Sequence, residues 1–189
     1  MLKILIPIAD GNEDIEAIAI YDILSRTGAE LTLASIMPSK RVTTLRDLII
    51  EAPSSLVECL DTTWDLIALP GGKEGAERMH DSRPLMTLIR EQLESGRWLG
   101  AICTAPVIIL GRHGLISDYR ATCYQTFRSE LSQYVREASE QRVVVDRNLI
   151  TSQSPGTAIE FAFQLVSCVF GEEQSRSIAR TVNAYLPPG

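Results

Sequence analysis

The sequence predicts an α/β fold: a largely parallel sheet with helices on both faces. Three observations lead there. Short apolar runs rich in Ile, Leu and Val alternate along the chain with amphipathic stretches of helical period. The runs are apolar on consecutive positions, as in strands buried from both sides. Most are followed by Gly, Pro, Asn or Asp, the residues that turn a chain out of a sheet.

Each element follows in order. Residues 3–9 are a buried strand, broken by Gly11-Asn12. Ile15, Ile18, Ala19 and Ile23 recur at helical spacing, and Gly28 stops that helix. Residues 31–36 form a second strand, 41–51 a short hairpin or edge excursion, and 66–69 a third buried strand ended by Pro70-Gly71-Gly72. Leu85, Leu88, Ile89 and Leu93 mark a helix ending at Gly96. Residues 98–102 are a strand, and a helix begins at or just after Cys103, with Pro106 in its first turn. A short strand at 120–124 precedes a helical stripe of Phe127, Leu131, Tyr134, Val135 and Ala138. Asp146-Arg147-Asn148 turns between strands at 143–145 and 149–152. The strongest helix carries Ala158, Phe161, Ala162, Leu165, Val166 and Val169. Thr157 and Glu160 read as its capping box, and Glu160 as structural. A last helix spans about 172–183, stopped by Pro187-Pro188. No composition shift divides the chain, so residues 1–189 read as one domain.

Composition narrows the function. The chain has 189 residues, a net charge of −6 and a pI near 5.0. A protein that tracks a nucleic-acid backbone needs a basic face, and none is evident. No apolar run approaches the ~20 residues of a membrane span. Residues 1–9 run straight into Asp10, Glu13, Asp14 and Glu16, unlike an export signal. A cytoplasmic location follows, with Cys59, Cys103, Cys123 and Cys168 as reduced thiols. No Cys-x-x-Cys pair suggests a metal, and only His80 and His113 are available for histidine chemistry.

In such sheets, sites gather at the carboxyl ends of the strands. Cys103 sits at a strand-to-helix junction between the small residues Ala101 and Ala105. A sharp turn of this kind presents a nucleophile clear of the sheet. A helix N-terminus there lowers a thiol pKa and offers N–H groups to an oxyanion. The alternative is a buried structural cysteine, the reading given to Cys59, Cys123 and Cys168. Gly71-Gly72 admits a close backbone approach, or is only a tight turn. No phosphate-loop pattern accompanies it. Glu16 lies in the first turn of a helix, where an acid also simply complements the dipole.

Taken together, Gly11-Asn12-Glu13-Asp14-Ile15-Glu16-Ala17, Leu69-Pro70-Gly71-Gly72 with Gly75-Ala76, Ala101-Ile102-Cys103-Thr104-Ala105-Pro106 and the run 151–161 resemble the ThiJ/PfpI superfamily, in the branch of the DJ-one proteins. The resemblance covers nearly the whole chain. It implies a flavodoxin-like three-layer sandwich, similar to class I glutamine amidotransferases, and usually a homodimer. It implies Cys103 as the reactive cysteine and Glu16 as its carboxylate partner. The N–H groups near Gly72 and Thr104 then form an oxyanion hole, lined by Gly71, Arg26, Arg46, Tyr124 and Pro155. No cofactor and no metal is implied.

The activities implied are cofactor-free glyoxalase and deglycase chemistry on α-oxoaldehydes or their adducts, in stress defence. Redox sensing or chaperone activity through an oxidisable Cys103 is the alternative, and cysteine peptidase activity a distant third. Two departures stand out. The peptidase branch has His directly after the nucleophile, where this chain has Thr104. The deglycase branch often has His where this chain has Tyr124. Proton transfer then falls to Glu16 or to water.

Overall fold

The computed structural model describes residues 1–185. A seven-stranded sheet runs in the order β10-β11-β7-β6-β1-β2-β5. Its strands are β1 (Lys3–Ile8), β2 (Glu30–Ser35), β5 (Ser54–Ser55), β6 (Leu66–Leu69), β7 (Trp98–Ile102), β10 (Val143–Asp146) and β11 (Leu149–Ser152). All pair in parallel except β10, which returns antiparallel along β11 through the expected turn at Asp146 to Leu149. Side chains alternate across the sheet, and the two faces bury separate cores. Leu5, Ile67, Leu69, Leu99 and Ala101 point one way, against α2 (Lys73–Asp81), α3 (Arg83–Glu94) and the segment Pro106–Gly111. Ile4, Ile6, Ile8, Ala68 and Ile150 point the other way, against α1 (Asp14–Ser25), α5 (Ala158–Phe170) and α6 (Glu172–Thr181). This is the expected three-layer arrangement. Among the described residues no helix is long and apolar enough to cross a membrane.

The segment 41–51 is a hairpin of β3 (Arg41–Thr43) and β4 (Ile49–Glu51), paired apart from the main sheet. The Asp14 carboxylate clamps it over the start of α1, accepting from Thr44 Oγ1 at 2.6 Å and from the Arg46 N–H at 3.1 Å.

Several expectations need correction. The stripe from Phe127 to Ala138 is not one helix. It is a single turn, α4 (Arg128–Leu131), followed by β9 (Glu137–Ala138), which pairs with β8 (Arg120–Ala121). The Ser132 hydroxyl bonds back to the Ser129 carbonyl at 2.8 Å, a local bond that competes with helix propagation. The expected strand at 120–124 is only the two residues of β8. The capping box lies one turn earlier than expected, between Ser154 and Thr157. Thr157 Oγ1 is engaged by Ser152 Oγ at 2.7 Å, and Glu160 instead accepts from Arg142 at 2.7 Å. Cys168, expected in the core, is half-buried. The stop expected at Pro187-Pro188 lies outside the described residues.

Candidate active site

The chain order reverses between β1 and β6: β2 lies on one side of β1, while β6 and β7 follow on the other. This is the kind of switch point at which a crevice opens beyond the strand ends. Glu16 enters it from α1 after β1, Gly71 and Gly72 from the end of β6, and Cys103 from the end of β7.

Cys103 has φ = 65°, the left-handed region that a side chain other than glycine rarely adopts. Backbone bonds hold it there. Its N–H donates to the Ser152 carbonyl at 3.0 Å, and its carbonyl accepts from the Tyr124 N–H at 2.8 Å. The chain then enters a π-helical segment, Pro106–Gly111. The N–H groups of Gly72 and Thr104 lie near enough to the sulfur to favour its charged form.

Glu16 is fully buried. Its Oε2 accepts from the Gly71 N–H at 2.8 Å, and the carboxyl lies within hydrogen-bonding reach of the thiol. Oε1 has no hydrogen-bond partner among the described residues, and neither has Thr104 Oγ1. Burial, with a smaller contribution from the charge of Glu13, pushes Glu16 up to about 8, so it carries its proton at neutral pH. Burial and a charged Glu16 push the thiol up as well. This reverses the lowering expected from a helix end, and burial is the larger of the two causes. Two anions do not coexist in so small a buried volume, so the pair holds at most one negative charge and titrates as a unit. With Glu16 protonated, the opposing charge is gone; burial still raises the thiol, and the N–H groups of Gly72 and Thr104 work against that rise. Burial also raises Cys59, Cys123 and Cys168, and none of these has backbone N–H donors at its sulfur.

Glycine is required where the segments meet. A Cβ on Gly71 would lie 2.6 Å from Cys103 Cβ and 2.8 Å from Glu16 Oε2. Gly72 has φ = 87°, and a Cβ there would run into the Gly11 carbonyl.

The other expected residues separate into two groups. Tyr124 packs in the same cluster as Cys103, and Pro155 opens the turn after β11, the strand beside β7. Arg46 lies on the exposed hairpin clamped by Asp14. Arg26 does not reach the site of its own chain. It caps the far end of α1, ten residues (~15 Å) beyond Glu16, and pairs with Asp22 at 3.0 Å. An i,i+4 acid on its own helix is the nearer partner for that guanidinium.

Sequence reasoning passed over Asn12, reading it only as a turn residue. Its buried amide accepts from the Ala9 N–H at 2.6 Å and donates to the Gly71 carbonyl at 2.7 Å, locking the loop after β1 to the loop after β6. Its signal was an Asn beside a glycine at a strand end that also carries Glu16.

Residues 2–168 match the DJ-1/PfpI family. The chain belongs to that family. Protein DJ-1 homolog B of Arabidopsis thaliana is 39% identical over 94% of this chain and 40% of its own length. The chain spans less than half the length of the two Arabidopsis relatives it matches. A relative of similar length, the glutathione-independent glyoxalase DJR-1.2 of Caenorhabditis elegans, is 31% identical over 94% of this chain and 92% of its own. The structure of oxidized DJ-1 from Toxoplasma gondii superposes with a TM-score of 0.94 at 34% identity, covering 98% of this chain and all of that one.

Proposed function

We propose that the protein is a cofactor-free, cysteine-dependent enzyme acting on small α-oxoaldehydes or their adducts, of glyoxalase or deglycase type. The observation that carries this reading is the coupled pair: a thiol at a left-handed elbow, facing two backbone N–H donors and a buried carboxyl that keeps its proton at neutral pH.

For methylglyoxal, the Cys103 thiolate adds to the aldehyde carbon and forms a C–S bond. The oxygen becomes an alkoxide, stabilised by the donors at Gly72 and Thr104, and takes the Glu16 proton. The Glu16 carboxylate then removes the proton on the former aldehyde carbon, giving an enediolate. Return of that proton to the neighbouring carbon, with passage of the remaining hydroxyl proton to the other oxygen, leaves a hydroxy thioester. The aldehyde carbon is oxidised and the ketone carbon reduced within one molecule, so no external redox partner is consumed. Water cleaves the thioester to lactate and restores the thiol. This route expels no amine, so a histidine after the nucleophile is not needed. The named glyoxalase among the relatives supports this reading.

Lactate formed from methylglyoxal by the purified protein tests it. We expect turnover in the wild type, none in Cys103→Ser and a loss of at least about tenfold in Glu16→Gln. Undiminished turnover in Cys103→Ser would overturn it.

A second reading rests on the same N–H cradle, which suits an oxidised sulfur. Here the thiolate attacks peroxide to give a sulfenic acid and water, and a second peroxide gives the sulfinic acid and water. Peroxide that adds mass at Cys103, in a protein that forms no lactate, favours this role. We further propose that the protein works as a homodimer, in the cytoplasm, with neither nucleic acid nor membrane as partner.

A further inference from the structure

Glu13 takes no part in the chemistry above. It is the last residue before α1, and its N–H donates to the Gly71 carbonyl at 3.0 Å. Its backbone therefore lies against the glycine pair that cradles the sulfur. Only 8% of the residue is exposed. Its neighbours in sequence are satisfied: Asp14 accepts from Thr44 and Arg46, and Asp10 accepts from the Thr43 N–H at 2.8 Å. The Glu13 carboxylate has neither a hydrogen bond nor an ion pair among the described residues, although its charge reaches Glu16. It is not among the side chains with fully buried unpartnered atoms, so it keeps contact with solvent. No cation of the adjoining segments lies within ion-pair distance of it. Arg78 lies by Glu74 at 3.6 Å and donates to the Asp10 carbonyl at 3.1 Å, while Lys73 and Arg46 are exposed.

A nearly buried carboxylate without a counter-charge is costly unless water or a cation meets it. Two further buried polar atoms of the same crevice, Glu16 Oε1 and Thr104 Oγ1, also lack a partner. Glu13 adjoins the crevice that holds these two atoms through its backbone bond to Gly71.

We propose that Glu13 is a charge filter beside Cys103: it favours carbonyl compounds bearing an ammonium or guanidinium group, is indifferent to neutral α-oxoaldehydes, and repels anionic α-oxo acids such as glyoxylate. The same repulsion speeds release of a carboxylate product. The proposal deepens the reading above and rests on Cys103 being the reacting atom.

Its test does not need turnover. Three methanethiosulfonates of similar size, carrying a trimethylammonium, a hydroxyl or a sulfonate group, each transfer their thiol half to a thiolate and release methanesulfinate. Rates of modification at Cys103 are read by mass spectrometry. Dividing by the rate of the neutral reagent cancels any change in thiolate fraction. Scaled to the same reagents on 2-mercaptoethanol, the cation-to-anion ratio should be about tenfold higher on the protein, shrinking with salt. Glu13→Gln should remove most of that preference and Glu13→Asp retain it. Glu91→Gln, an equal change in net charge on the exposed side of α3, should leave it in place. Equal ratios in wild type and Glu13→Gln would overturn the charge filter. Failure of all three reagents at Cys103 would instead overturn the reactive-thiol reading on which it rests.

Discussion

Cys103 and Glu16 share a space that a single methyl group would destroy. Gly71 lies between them, and its missing Cβ is the gap through which the carboxyl reaches the thiol. Gly71→Ala should destabilise the fold by about 1–3 kcal/mol, as overpacking does. It should also slow alkylation of Cys103 by at least about tenfold, since the backbone that must yield is the backbone that places both groups. Thermal unfolding and iodoacetamide rates measured together check this, and an unchanged alkylation rate would show that the gap is dispensable. Glu16 has a second consequence, through pH. Its folded pKa, about 8, lies above the ordinary carboxylate value of 4.5. The folded state therefore holds a proton that the unfolded state releases, and stability falls as pH rises between those values. The slope from this one group is at most about 1.4 kcal/mol per pH unit. Denaturant unfolding from pH 5 to pH 8 should show the decline in the wild type and a flatter profile in Glu16→Gln. Parallel profiles would mean that Glu16 is not the titrating group.

At the scale of elements, the strands were the most legible part of the sequence, because a strand buried on both faces has no polar positions to confuse its pattern. The loops at their carboxyl ends were legible as site-bearing for the same reason: Gly, Pro, Asn and a lone Cys stand out beside continuous Ile and Leu. Helix α2 was missed. It offers only Ala76 and Met79 as buried apolar side chains, and Gly75 in its first turn reads as a breaker. Gly75 is there because Asn12 packs directly against it, a tertiary demand that local pattern does not express. The stripe from Phe127 to Ala138 failed in the opposite way. Its residues do pack on the core, as the periodicity implied, but on a turn and a short strand rather than a helix. Arg26 was placed at the site and the dimer contact by resemblance alone, and the length of α1 carries it away from the site of its own chain. Gly100 makes the packing of α5 testable. A Cβ there would meet Leu165 Cδ2 at 2.6 Å and the Phe161 ring at 3.0 Å. Both atoms are ends of side chains locked in the core, so Gly100→Val should cost about 2–3 kcal/mol by pushing α5 off β7. Chemical denaturation reads the loss, and a neutral result would mean that this helix has room to shift.

For the whole molecule, the face that α1 and α5 turn away from the sheet carries an exposed apolar strip. Ile15, Ile18 and Ile159 are each about half exposed, at 55%, 47% and 54%, and Tyr21 is 39% exposed. They do not scatter. Ile15, Ile18, Ala19 and Ile159 line one groove, closed at its far side by Val182 and Ala184. Two acids, Asp14 and Asp22, sit at its edge. An apolar strip with a polar margin is the anatomy of a protein interface. A two-fold contact covers it most simply, because each copy then offers the same strip to the other. The site stands to gain from such a contact. Glu16 leaves α1 on its buried face, one residue after the exposed Ile15, and the hairpin clamped by Asp14 rises from the same end of the helix. Fixing the outer face of α1 would therefore fix the end of the helix that carries the proton-bearing carboxyl. Sedimentation at micromolar concentration should give twice the chain mass of 20.9 kDa. Ile18→Asp should bring it down to one chain, since an unpaired carboxylate at the centre of the strip is costly to bury. A wild type that sediments as one chain would remove the homodimer. If Ile18→Asp is monomeric, folded and alkylated at Cys103 as fast as the wild type, the dimer stands and its support of the site does not.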